Sequence, residues 1–127
     1  MSRKVLSVPK TVPRGGRKIV VRSNGMKAEV IAFTTPELAS IMGGRSALTI
    51  HIWERNGIIP PPSNYVRKGG SWRMYTEDEV QIMLDAYHES MAGEAFHIRR
   101  TKFPALVAKG FKSLVKGVRK DRYVKAA

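Results

Sequence analysis

The segment GGRSALTIHIWERNGIIPPP, residues 43–62, determines the fold more than any other part of the sequence. Ser46 can begin a helix, because its hydroxyl accepts a hydrogen bond from a backbone amide that would otherwise lack a partner. The apolar residues Ala47, Ile50 and Trp53 then recur about one helical turn apart. Gly57 can adopt the left-handed conformation that closes a helix, and the three prolines that follow lack amide donors. The pattern therefore predicts a helix from about residue 47 to residue 56.

A shorter helix is predicted just before this segment. Thr35 is the expected N-cap, Pro36 the first helical residue and Glu37 an acid in the first turn. The apolar residues that follow give this helix one buried side, and Gly43 and Gly44 end it. Two short helices joined by a glycine-containing turn are typical of a helix-turn-helix.

A hairpin and a third helix follow the prolines. Gly69 and Gly70 separate two short segments that contain aromatic and β-branched residues, which predicts a basic β-hairpin over residues 65–75. Thr76 and Glu79 form a capping-box pattern at the start of the third helix. The order helix, turn, helix, hairpin, helix indicates a winged helix-turn-helix, a mainly α fold with a small β part.

The flanking segments differ in composition from this core. Residues 1–18 show no helical or strand period, and the β-prone runs on either side of Asn24-Gly25 predict a hairpin, with a single strand as the alternative. From Pro104 onward an apolar stripe of Val107, Phe111, Leu114 and Val118 faces a basic side, which predicts an amphipathic helix over residues 104–120. Gly110 and Gly117, beside that stripe, would let another helix approach closely. We divide the chain into a basic N-terminal arm, 1–32, a winged domain, 33–92, and a basic C-terminal segment, 93–127.

The charge is concentrated in the flanks. The formal net charge is +13, and Lys and Arg exceed Asp and Glu by seven in residues 1–32 and by eight in residues 91–127, whereas residues 33–90 carry −2. Basic flanks around a compact centre favour a polyanionic partner, because each neutralised phosphate releases a counterion. The alternative is that the flanks are merely solvated. We expect double-stranded DNA to be the partner.

Three segments in order resemble the DNA-binding domain of MerR-type transcription regulators: TTPELA, GRSALTIHIWERNGIIPPP and RMYTEDEV, within residues 33–84. The resemblance implies that Ser46 and Thr49 lie near the DNA backbone, that Glu54 and Arg55 form the pair at the end of the second helix, and that Arg73 and Tyr75 face phosphate. His51 stands where the family usually has Arg, and Ile52 where it usually has Tyr or Phe.

The same helix has its own chemistry for reading DNA. Arg45, Thr49, His51 and Arg55 offer donors for phosphate or guanine, and Leu48 offers an apolar tip for a thymine methyl group. Trp53 is expected in the core, whereas Trp72 either packs under the hairpin or lies along a sugar. The complete set predicted to bind DNA is Arg45, Ser46, Leu48, Thr49, His51, Arg55, Arg67, Lys68, Trp72, Arg73, Tyr75, Lys109, Lys112 and Lys116.

We expect a DNA-binding transcription regulator in a bacterial cytoplasm. The alternatives are a phage packaging or recombination accessory protein, of the small-terminase or excisionase type, and an architectural DNA-binding protein. No metal-ligand spacing or activated nucleophile is evident, so we expect no enzyme activity, metal or cofactor, and no membrane binding. The apolar side of helix 104–120 is expected to be buried in a homo-oligomer or on another protein; the alternative is that it folds back on its own domain.

Overall fold

The computed structural model describes the backbone of residues 8–23, 26–61, 64–67, 71–95, 97–117 and 124–126, and side chains outside 21–28, 62–73 and 115–127. Five strands, β1 (Arg17–Ser23), β2 (Met26–Thr34), β3 (Asn64–Arg67), β4 (Ser71–Thr76) and β5 (Val124–Ala126), form one sheet. The helices are α1 (Thr35–Ile41), α2 (Ala47–Arg55), α3 (Glu77–Glu89) and α4 (Phe103–Gly117), with short 3-10 turns at Ala92–Glu94 and Ile98–Arg100. The predicted fold class, mainly α in winged helix-turn-helix order, is confirmed.

The sheet has the order β3-β4-β2-β1-β5, and every recorded strand pair in it is antiparallel. Strands β1 and β2 pair in antiparallel from Arg17 opposite Ala32 to Ser23 opposite Met26, as the predicted hairpin requires; Asn24 and Gly25 lie outside the described residues. Strand β2 also pairs with β4 of the second hairpin, Phe33 opposite Tyr75. The N-terminal hairpin therefore extends the sheet that carries the wing.

The helix starts follow the predicted cap chemistry with one correction. Helix α1 is capped by Thr34 rather than Thr35, and Pro36 is its second residue rather than its first. Thr34 decides the position because it lies three residues before Glu37: its backbone amide donates to a Glu37 carboxylate oxygen at 2.8 Å. Ser46 caps α2 and Thr76 caps α3 as predicted, and Gly57 has the left-handed φ of +74°.

The larger of two buried clusters in the described residues joins the winged domain to both flanks. Buried side chains of α1, α2 and α3, among them Leu38, Ile50 and Leu84, share this core with Val8 of the N-terminal arm and with Phe103, Val107 and Phe111 of α4. The rings of Trp53 and Phe103 meet edge to face at 5.7 Å. For Val107 and Phe111 of the apolar stripe, the fold-back alternative is the correct one, because they are buried in the core of their own chain, where α4 packs on α3.

The arm is held by side chains of α3. Gln81 accepts a hydrogen bond from the amide of Val12 at 3.1 Å and donates one to the carbonyl of Lys10 at 2.8 Å. Nε2 of His88 lies 2.9 Å from the carbonyl oxygen of Val8, so the ring donates there. Residues 8–12 therefore follow the surface of α3 without forming a strand or a helix.

Candidate nucleic-acid interface

The outward face of α2 is formed by four exposed residues, Leu48, His51, Ile52 and Arg55. They lie together because positions three, four and seven apart share one side of a helix. Ile50 and Trp53 point the opposite way and are buried in the core. The same sequence pattern that buries one side of α2 thus leaves a surface two helical turns long, which we call the outward face.

The sequence predicted only one of the two apolar residues of this face to bind DNA. Leu48 is 63 % exposed, in agreement with the tip that the sequence predicts, and Ile52 is 38 % exposed beside it. Ile52 is absent from the residues predicted to bind DNA. Its spacing of four from Leu48 is the signal that would have placed both side chains on one surface.

Ser46 and Thr49 are engaged in the cap of α2. The Ser46 hydroxyl accepts a hydrogen bond from the Thr49 amide at 3.3 Å, and the two hydroxyl oxygens lie 3.2 Å apart. Both side chains are at the start of the helix, where an adjacent phosphate would meet free amides and the positive end of the helix dipole. Their predicted position near a DNA backbone stays a prediction.

Arg45 is located differently from the sequence-based prediction. Its guanidinium lies over the rings of Trp53 and Tyr87, at 5.2 Å and 5.5 Å from their centres. It donates to the carbonyl of Met42 and, at 3.3 Å, to the hydroxyl of Tyr87. The side chain therefore ties the helix-turn-helix to α3 and is not part of the outward face.

Tyr75 also requires a correction. The resemblance implies a phosphate-facing side chain, whereas the ring is fully buried and its hydroxyl donates to the carboxylate of Glu54. Because Tyr75 belongs to β4 and Glu54 to α2, the hydrogen bond joins the wing to the helix. Tyr75 sets the position of the wing, and we do not assign it a direct phosphate contact.

The wing is the hairpin of β3 and β4, in which Tyr65 pairs with Arg73 and Val66 with Trp72. Arg67 ends β3, and Lys68 lies in the connection, outside the described residues. The predictions for the side chains of Arg67, Lys68, Trp72 and Arg73 likewise lie outside the described side chains. The structure gives the backbone that carries them: the hairpin follows α2 in sequence and is tied to it through Tyr75 and Glu54.

The charges on α2 and α3 differ in sign. The outward face of α2 has one arginine, one histidine and no acid, whereas the exposed residues of α3 include four acids, Glu77, Asp78, Asp85 and Glu89. A polyanion is attracted to the first surface and repelled by the second. On α4, Lys109 and Lys112 are exposed, on the side away from the buried Val107 and Phe111; the side chain of Lys116 lies outside the described set.

Metal ligands and membrane-spanning helices are two other features of the described part of the chain that could indicate a function. Among its residues, no three His, Asp or Glu side chains are grouped so that they could hold a metal ion. None of its helices has the length and the hydropathy needed to cross a membrane. The outward face of α2 is thus the surface with the clearest chemistry in the described residues.

Comparison with known proteins agrees with the resemblance seen in the sequence. Residues 33–85, from the end of β2 to the middle of α3, match the family model described as MerR HTH family regulatory protein. No curated protein and no solved structure matches the chain. Residues 33–85 therefore form a MerR-type helix-turn-helix DNA-binding domain.

Proposed function

We propose that the protein is a transcription regulator that binds double-stranded DNA with the outward face of α2 in the major groove. The observation that carries this proposal is the surface of Leu48, His51, Ile52 and Arg55, exposed and free of acids within the domain that matches the MerR family. An α-helix fits the major groove, and the second helix of a helix-turn-helix is the one that enters it.

The wing contacts the DNA backbone beside the groove in this proposal. Arg67, Lys68 and Arg73 belong to a hairpin that is held against α2 by the buried ring of Tyr75, whose hydroxyl also donates to Glu54. Lys109 and Lys112 of α4, together with Lys116, extend the phosphate contacts outside the groove. Phosphate contacts of this kind position a protein without reading the sequence.

An architectural role is the second candidate, and the two basic flanks favour it. Residues 1–32 and 91–127 carry all of the net positive charge, and charge alone gives affinity without sequence preference. A regulator discriminates among sites and an architectural protein does not. An accessory protein of packaging or recombination would use the same helix and wing. The DNA site that the protein binds would therefore distinguish it from a regulator.

Titration of labelled duplex DNA at several salt concentrations tests the proposal. Affinity should fall steeply as salt rises, with a slope of about −0.9 for each phosphate contacted. Arg73→Ala should reduce that slope by roughly one and weaken all sequences alike. Glu89→Ala, on the acidic surface of α3, is the matched control and should not weaken binding. Absence of binding at low salt, or affinity that does not depend on salt, would contradict the proposal.

A further inference from the structure

Two large apolar side chains stand next to each other on the surface that the proposed function places against DNA. Leu48 is 63 % and Ile52 38 % exposed, and the only other large hydrophobic residue exposed to this degree in the described part is Met91, on the segment after α3. A single exposed leucine needs no explanation. Two exposed apolar side chains on one face of a helix that meets a polar groove do need an explanation, because each of them would be buried there against a group of the partner.

Hydrogen-bond donors are scarce on the same face. Guanine is most often read by Arg or Lys in the major groove, and Arg45 is excluded from that role because its guanidinium lies between Trp53 and Tyr87. Arg55 and His51 are then the only residues of the outward face with a donor. Arg55 lies seven residues from Leu48, about 10 Å along the helix axis, and His51 lies beside Ile52, so Leu48 and Ile52 form the apolar part of the face.

The base edge that suits such a surface is the 5-methyl group of thymine. It is the apolar group that base pairs present in the major groove, and side-chain carbon atoms contact it there. Leu48 and Ile52 are about 6 Å apart along the helix axis, close to two steps of 3.4 Å between bases of one strand. The two side chains can therefore meet two methyl groups at the same time.

Resting on the proposed function, we infer that Leu48 and Ile52 read the 5-methyl groups of pyrimidines, so that the preferred sites carry thymine, or 5-methylcytosine, opposite these two residues of α2. Burial against these methyl groups removes both side chains from water. The basic residues beside them and the absence of acids on the face favour DNA over an apolar protein partner, which would find no complementary use for Arg55 and His51.

The test compares duplexes that differ only in these methyl groups. One mixed-sequence AT-rich duplex is made with thymine and with uracil in its place; a second, GC-rich duplex is made with cytosine and with 5-methylcytosine. Wild-type protein should bind the methylated member of each pair more tightly. The expected ratio is about fourfold for one buried methyl group and roughly fifteenfold for two, from the transfer free energy of a methylene-sized group.

Side-chain variants assign the effect to α2. Leu48→Ala/Ile52→Ala should bring both ratios close to one and should leave the fold intact, because both residues are exposed and alanine favours a helix. Met91→Ala, which also removes an exposed apolar side chain, is the matched control and should keep both ratios.

Each possible outcome of these measurements either supports or overturns the inference. Equal affinity for methylated and unmethylated duplexes, with salt-dependent binding intact, would overturn this inference and leave the proposed function standing; a protein partner for the face would then be the better explanation. A methyl preference that survives in the double variant would also overturn it, as would equal loss of affinity for every duplex in that variant. Absence of binding to any duplex would refute the proposed function itself.

Discussion

A β-carbon on Gly110 of α4 would lie 2.5 Å from Cγ2 of Ile82 on α3. The two helices therefore approach as closely as they do because residue 110 has no side chain. The sequence predicts that Gly110 permits another helix to come close, and the structure identifies that helix as α3 of the same chain. This contact fixes the C-terminal helix to the DNA-binding domain.

Gly110→Ala should destabilise the protein. Forcing a methyl group into a packed contact costs about 1–3 kcal/mol, against a gain of about 1 kcal/mol from alanine in a helix, so a net loss is expected in denaturant unfolding. In an Ile82→Ala background the clash is gone, and the same substitution should then stabilise. Stabilisation by Gly110→Ala in both backgrounds would show that the helices do not pack in this way.

Tyr75→Phe should lower stability without weakening DNA binding. The variant leaves the ring in the core but removes the hydroxyl that donates to Glu54, a loss of about 1–2 kcal/mol in the free energy of unfolding. Affinity measured where both proteins are fully folded should be unchanged. A large drop in affinity at unaltered stability would mean that Tyr75 faces phosphate, as the family resemblance implies.

Arg45 and Arg55 should behave oppositely when each is changed to methionine. Arg45→Met removes the cation from between Trp53 and Tyr87 and should cost about 1–2 kcal/mol of stability, with little change in preference among DNA sequences. Arg55→Met, at an exposed position, should leave stability within about 0.5 kcal/mol and reduce DNA affinity. Unfolding curves and competition binding on the same two preparations would reveal any reversal of these roles.

The free energy of unfolding should decrease at acidic pH, partly because the Glu37 carboxylate becomes protonated. Desolvation by burial acts to raise the pKa of this carboxyl, but hydrogen bonds from the Thr34 amide, from Arg17 at 3.2 Å and from the Thr34 hydroxyl, together with the Arg17 charge, outweigh it and lower the pKa below the ordinary value of 4.5. Because the folded-state pKa is depressed, this contribution is complete above about pH 4.5 and is lost as the pH falls through the lower folded-state value.

Glu37→Gln should remove that part of the pH dependence. Unfolding measured across this acidic range should show a shallower loss of stability than in wild type, while Glu89→Gln, at an exposed position on α3, serves as the control. An identical pH profile for wild type and Glu37→Gln would mean that the hydrogen bonds to Glu37 do not stabilise the fold.

Local signals in the sequence were sufficient to predict the helix-turn-helix. Caps, glycines and one-turn periodicity are short-range features, so the start and end of α2 and the start of α3 agree with prediction. Adjacent threonines made the cap of α1 ambiguous, and the spacing to Glu37 resolves it in favour of Thr34. The three-residue strand β5 was not predicted, because so short a segment has no period to detect.

Contacts between distant segments could not be predicted in this way. Arg45 and Tyr87 are 42 residues apart in the sequence, and nothing near Arg45 indicates that a ring from α3 will accept its guanidinium. The apolar stripe of α4 predicts burial but not which surface covers it, and the expectation of a partner was therefore wrong for Val107 and Phe111. These residues depend on tertiary packing, which a periodic pattern does not specify.

The central claim, that the outward face of α2 contacts DNA bases, is tested most directly by crosslinking from that face. The chain has no cysteine, so His51→Cys carries a photoactivatable label at one defined place, and Glu89→Cys carries it on the acidic surface of α3. With both labelled proteins bound to the same duplex, we predict crosslinks to bases from position 51 and few or none from position 89. Bound DNA that crosslinks from position 89 and not from position 51 would contradict the account.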